Sequence, residues 1–113
     1  MRTPHRVAGL ALGLALLAAG TAAGAATHRV RIEAMRFNPE TLGVAPGDEV
    51  VWENRDLVPH TATAAGAADG PGFDSGPIAP GTAWRHVVRS GGRLAYVCSL
   101  HPTMKALLVV QPR

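Results

Sequence analysis

One cysteine, Cys98, stands in a chain of 113 residues, so no disulfide can form within it. Aromatic residues are equally sparse, with two Trp, two Phe and one Tyr making 4% of the chain. Residues 27–113 hold no internal repeat, low-complexity tract or convincing helix. The length excludes a multidomain machine or a barrel enzyme of ordinary size and leaves one domain. No Arg-Arg pair marks the twin-arginine export route, and no cysteine lies near the N-terminus to carry a lipid anchor.

Excess charge of one sign is also missing once its location is considered. The formal net charge is +3, from 11 Lys and Arg against 8 Asp and Glu. Arg2 and Arg6 precede residues 7–19, which contain only Val, Ala, Gly and Leu, and small residues follow up to Ala23-Gly24-Ala25-Ala26. A basic start, an apolar stretch and an A-x-A site predict a secretory signal peptide over residues 1–26, cleaved to leave residues 27–113. The competing reading is a retained anchor helix over residues 7–27. It is disfavoured because the last third is Ala, Gly and Thr, poor material for a span. The remaining 87 residues carry nine basic side chains and eight acidic ones, a net charge of +1. With no basic stripe to neutralise phosphates, nucleic acid is not an expected partner.

A domain of this size buries only about 60% to 65% of its unfolded surface and is marginal without extra support. Disulfides are the usual support for exported chains. Here either packing is unusually good or Cys98 does other work, such as holding a metal.

The remaining chain reads as strands separated by turn chemistry. In residues 28–34, Val30, Ile32 and Ala34 alternate with charged positions, the period-two pattern of a half-buried strand. Asn38-Pro39 interrupts. Leu42 and Val44 alternate again before the turn Ala45-Pro46-Gly47-Asp48, and residues 49–54 place Val50 and Trp52 on one face. Residues 61–64 suit a short strand. Residues 65–81 hold five Gly and three Pro, which predicts a long exposed connection with one extended piece at Phe73. Residues 82–89, 93–98 and 105–111 are predicted strands, with Ser90-Gly91-Gly92 as a hairpin signal between the first two. Ala106-Leu107-Leu108-Val109-Val110 is apolar on both faces, which predicts a central strand. The expected class is all-β, an antiparallel or mixed sandwich. Met35, Phe37, Trp52, Phe73, Trp84 and Tyr96 are its expected core.

Four side chains carry metal-binding atoms in a suggestive order: His60, then Cys98, His101 and Met104 in Cys-Ser-Leu-His-Pro-Thr-Met. One thiolate, two imidazoles and a thioether are soft to borderline donors, and His2Cys with a weak axial Met is a blue-copper donor set. Zinc fits less well, because its structural sites use no thioether. Taken singly, a buried Cys is usually a small core hydrophobe, a Met a gap filler, and a His before Pro a loop residue. A Cys-His nucleophilic pair is the rival chemistry, but no orienting partner or oxyanion loop is evident. His5, His28 and His86 lack spaced partners and are expected to be non-ligands.

The stretches Asn54-Arg55-Asp56-Leu57-Val58-Pro59-His60-Thr61, Gly72-Phe73-Asp74-Ser75-Gly76, Ile78-Ala79-Pro80-Gly81 and Tyr96-Val97-Cys98-Ser99-Leu100-His101-Pro102-Thr103-Met104 resemble the small cupredoxins of the plastocyanin, pseudoazurin and amicyanin group. The two-residue gap between His101 and Met104 is most similar to the amicyanin type. Thr103 replaces an aromatic residue of that loop, and an extra N-terminal strand is missing. The resemblance implies a Greek-key β-sandwich and one type 1 copper ion, held by His60, Cys98 and His101 with Met104 axial. It implies a periplasmic one-electron carrier without enzymatic activity, the alternative being a copper-binding or delivery module without redox turnover. It further implies a Thr61 N–H near the Cys98 sulfur, and Ser99 linking the two ligand loops. Redox proteins would dock near His101, on an apolar surface including Pro102, Pro59 and Leu57. No stable membrane insertion is expected after processing, and the chain is expected to be a monomer.

Overall fold

Period-two alternation and turn chemistry resolve into nine strands among the described residues of the computed structural model, which are 24–65, 72–89 and 91–113. Most of the predicted signal peptide therefore lies outside the described residues. The strands are β1 (Thr27–Glu33), β2 (Arg36–Asn38), β3 (Thr41–Val44), β4 (Glu49–Asn54), β5 (Thr63–Ala64), β6 (Phe73–Asp74), β7 (Ala83–Val87), β8 (Gly92–Cys98) and β9 (His101–Val110). They form two mixed sheets, ordered β2-β1-β4-β7 and β3-β9-β8-β5-β6. β1 runs parallel to β4 and β3 parallel to β9, and the other strand pairs are antiparallel. The expected all-β sandwich is what the chain adopts. No helix among the described residues is long and apolar enough to cross a membrane.

Three local expectations are corrected. The strand predicted over 28–34 ends at Glu33, because Ala34 and Met35 turn the chain with φ of 56° and 59°. Met35 is 42% exposed at this turn and is not core. Ser90-Gly91-Gly92 does not close a hairpin. β7 pairs with β4 in one sheet and β8 with β9 and β5 in the other, so this connection passes between sheets.

All five aromatic residues gather where the sheets face each other. Trp52 of β4 lies 5.4 Å from Trp84 of β7, 5.3 Å from Phe73 of β6 and 5.6 Å from Tyr96 of β8, and Phe37 of β2 lies 4.8 Å from Tyr96. Scarcity of aromatics is thus offset by concentration, since aromatic pairs add about 0.5 to 1.5 kcal/mol beyond area burial. Burial pushes the Tyr96 phenol up to about 12. β4 is buried on both faces. Val51 points away from the core, yet its register neighbours Arg29 and Arg85 lay their stems beside it while pairing with Glu53 and Glu49.

At the end of the sandwich remote from Cys98, Asp48 is 1% exposed. It accepts hydrogen bonds from the Ala26 N–H (2.9 Å), the Ala45 N–H (3.0 Å), His28 Nε2 (2.8 Å) and Arg113 Nη2 (2.6 Å). The Ala26 N–H first, then the Ala45 N–H, His28 and Arg113, hold its carboxyl far below the usual range against the opposing effect of burial. A carboxyl depressed on folding stabilises the fold above its unfolded value near ~3.9, and that stability is lost as pH falls. The thermal midpoint is expected to drop on acidification below about pH 4, and Asp48→Asn to lessen the dependence. An acid limb equally steep in the variant would contradict this.

Candidate metal centre

Cys98 closes β8, and its side chain is fully buried because Leu94, Tyr96 and Cys98 alternate toward the core. The ladder shifts register between Val97 and Cys98, so Cys98 faces His101 across the two-residue turn Ser99-Leu100. β9 therefore begins at His101, four residues before the predicted start. Met104, Leu108 and Val110 are its buried positions. His101 is three residues ahead of Met104, out of phase with that face, and turns its Nδ1 to 3.7 Å from Cys98 Sγ.

His60 arrives from the other loop expected to carry a ligand. Its backbone bridges to Ile78, donating at 3.3 Å and accepting at 2.7 Å. Its Nδ1 lies 3.6 Å from Cys98 Sγ, and the two imidazole centroids are 5.1 Å apart. The metal-binding atoms of His60, Cys98 and His101 all lie within 4.8 Å of one another. Met104 is buried nearby in chain, three residues after His101, at the head of the inward face of β9. His28, bonded to Asp48, and His86, stacked on Trp84, lie outside this cluster.

Two flanking residues were not singled out from sequence. Asp56 accepts from the Ala34 N–H (2.7 Å) and the Met35 N–H (2.9 Å), and its Oδ2 lies 2.8 Å from His60 Nε2. Burial opposes ionisation, but the Met35 N–H, His60 and the Ala34 N–H together hold its carboxyl below the ordinary range. An ionised carboxylate only accepts, so Nε2 carries the hydrogen and Nδ1 presents its lone pair toward Cys98. Asn54, 1% exposed, donates to the Val58 and Ile78 carbonyls, both at 2.8 Å, and accepts from the Asp56 N–H at 2.9 Å. The only local clue to Asp56 was a carboxylate four positions before a histidine.

The bridges implied by resemblance are present. The Thr61 N–H donates to Cys98 Sγ at 3.3 Å, and Thr61 Oγ1 accepts from the Ser99 N–H at 2.7 Å and lies 3.0 Å from Ser99 Oγ. These bonds tie the two loops together. His60 and Cys98 are sealed from solvent while His101 is half-buried. Leu100 (50%) and Pro102, its neighbours in the chain, are exposed, as are Leu57 (94%), Val58 (40%) and Pro59 in the three positions ahead of His60. Leu100 and Val58 are exposed apolar residues beyond the Pro59, Pro102 and Leu57 expected from sequence.

One thiol and two imidazole nitrogens converging in a mostly dry pocket, with a thioether beside them in the chain, fit a soft to borderline transition metal with copper preferences. Comparison with known proteins agrees. The family model described as copper binding proteins, plastocyanin/azurin family, matches residues 25–111. Amicyanin-alpha of Methylorubrum extorquens is 30% identical over 105 residues, covering 89% of this chain and 86% of that protein. Amicyanin of Paracoccus denitrificans is 32% identical over 83 residues, covering 73% of this chain and 63% of that protein. A solved amicyanin variant in its Cu(I) form superposes with a TM-score of 0.69 at 28% identity, covering 80% of this chain and 86% of that one. A copper-containing nitrite reductase from Thermus scotoductus SA-01 matches at a TM-score of 0.71 and 23% identity, over 76% of this chain and 22% of its own, a likeness of fold alone.

Proposed function

The chain belongs to the plastocyanin/azurin family of copper-binding proteins, and on that premise we propose that it is a periplasmic type 1 copper electron carrier of amicyanin type. The observation that carries the reading is the Cys98 sulfur, fully buried between two imidazole Nδ1 atoms at 3.6 and 3.7 Å. In this reading His60, Cys98 and His101 are the strong ligands and Met104 the weak axial one. Copper so held supplies a one-electron Cu(II)/Cu(I) couple.

The chain's own residues keep that couple fast. Asp56 fixes the His60 ring, the Ile78 bridge fixes its backbone, and the Thr61–Ser99 bonds hold the two loops in register. Ligands restrained in this way rearrange little when the charge of the metal changes. The Thr61 N–H also donates to the thiolate and stabilises its negative charge. His101 is the one half-exposed member of the three and stands in the chain between exposed Leu100 and Pro102, so it is the exit for the electron. Such a surface suits brief docking of redox proteins. The leader read at residues 1–26 supports export, and no substrate is transformed by the chain itself.

A copper-delivery module would need to release its ion, and burial of His60 and Cys98 opposes release. The two roles separate when the copper-loaded protein is cycled with a small reductant and oxidant in the presence of a copper chelator. A carrier keeps its copper through many cycles. Transfer of copper to the chelator within the first few would overturn the carrier reading.

Met104→Leu is expected to keep copper and colour while raising the reduction potential, because loss of a weak donor destabilises the oxidised ion more than the reduced one. Voltammetry of the variant checks this. An unchanged potential would show that Met104 is not axial.

A further inference from the structure

Among the described residues, Ala26 is the first whose backbone is hydrogen-bonded into the sandwich. Gly24 and Ala25 are exposed, whereas Ala26 is half-buried and engaged on both sides. Its carbonyl accepts the Glu49 N–H at 2.9 Å, one rung ahead of the parallel β1–β4 register that opens with Thr27 opposite Glu49. Its N–H donates at 2.9 Å to Oδ1 of Asp48. Around that carboxylate stand the Ala45 N–H, His28 and the Arg113 guanidinium, in a pocket where Asp48 is 1% exposed. Directly ahead of Ala26, Ala23-Gly24-Ala25 forms a complete A-x-A triplet.

We infer that the leader is removed between Ala25 and Ala26, one residue before the boundary read from sequence, and that the new α-ammonium of Ala26 pairs with the buried carboxylate of Asp48. The inference rests on the export reading above. A leader peptidase hydrolyses the Ala25–Ala26 bond: the oxygen of water goes to Ala25 as a carboxylate, and the Ala26 nitrogen leaves as the amine, protonated at neutral pH. The cut keeps the donor already aimed at Asp48 and adds a positive charge to it, and charge-assisted hydrogen bonds are roughly twice as strong as neutral ones. A cut after Ala26 would delete both ties, leaving the Glu49 N–H without the carbonyl it donates to and Asp48 Oδ1 with the Arg113 guanidinium alone. A cut after Ala23 would leave a neutral amide at Ala26 behind two residues that are exposed. Processing and folding are thereby matched at a single residue: the leader's removal creates the cation that closes the Asp48 cluster.

The test is to express the full chain with its leader in an exporting bacterium, purify the copper-loaded protein and determine its N-terminus by intact mass and N-terminal sequencing. Ala26 is the expected first residue. A processed chain starting at Gly24 or Thr27 would leave export standing and overturn the inference, and a chain retaining residues 1–25 would sink the export reading with it. A second comparison sets protein starting at Ala26 against protein starting at Gly24, each with Asp48 and with Asp48→Asn. The Ala26 form is expected to have an unfolding equilibrium constant about tenfold lower, and the difference to vanish in the Asp48→Asn pair. Equal stability of the two starts with Asp48 present would overturn the ion pair.

Discussion

Cys98→Ala protein is expected to be colourless with Cu(II) and to bind it at least about 100-fold more weakly, since even residues supporting a metal ligand cost 10- to 100-fold on mutation. The intense blue of such a site requires a thiolate bonded to Cu(II), and Cys98 is the single sulfhydryl of the chain. The variant should still fold. Cys98 is a small buried side chain, and its loss removes one sulfur from the edge of a core dominated by Trp52, Phe37 and Tyr96. Unchanged circular dichroism with lost colour separates a missing ligand from a missing fold. A blue Cys98→Ala protein would show that the thiolate assignment is wrong.

Asn54→Ala is expected to be the most damaging polar substitution. The side chain is 1% exposed and makes three hydrogen bonds, to the Val58 carbonyl, the Ile78 carbonyl and the Asp56 N–H. Removing it leaves the Val58 carbonyl and the Asp56 N–H without that partner, and the Ile78 carbonyl with the His60 N–H alone, inside the loop that presents His60. At about 1 kcal/mol for each lost hydrogen bond, the loss is roughly 3 kcal/mol. For a domain of this size that lowers the thermal midpoint by roughly 12 to 24 °C. The same change loosens the segment between Asn54 and His60, so copper affinity should fall as well. Thermal unfolding of the apoprotein and the copper-loaded protein measures both. A midpoint within about 4 °C of the wild type, equivalent to less than ~1 kcal/mol, would mean that Asn54 does not brace the loop.

The sandwich and the candidate ligand set were legible because both depend on local pattern. Glu49–Asn54 reads as a strand from its alternation after a Pro-Gly turn, and the structure begins and ends it at those residues. Cys98, His101 and Met104 were found by donor chemistry within seven residues, and His60 by its imidazole together with the resemblance carried by residues 54–61. What escaped notice depends on contacts distant in sequence. Asp56 draws its role from the Ala34 and Met35 N–H groups, 22 and 21 residues earlier. Alternation carried the first strand one residue too far at Ala34, where positive φ turns the chain. Ser90-Gly91-Gly92 has the composition of a hairpin, but the pairing of β7 with β4 decides where it leads. Pro102 hid the first residues of β9, since it cannot donate to a ladder, although the strand runs through it.

The most direct test of the copper centre is an optical titration of the metal-free protein with Cu(II). One equivalent should develop an intense blue band that bleaches on reduction, returns on reoxidation and is absent from Cys98→Ala. A protein that stays colourless at one equivalent, or whose colour survives loss of Cys98, would contradict a type 1 site built on His60, Cys98, His101 and Met104.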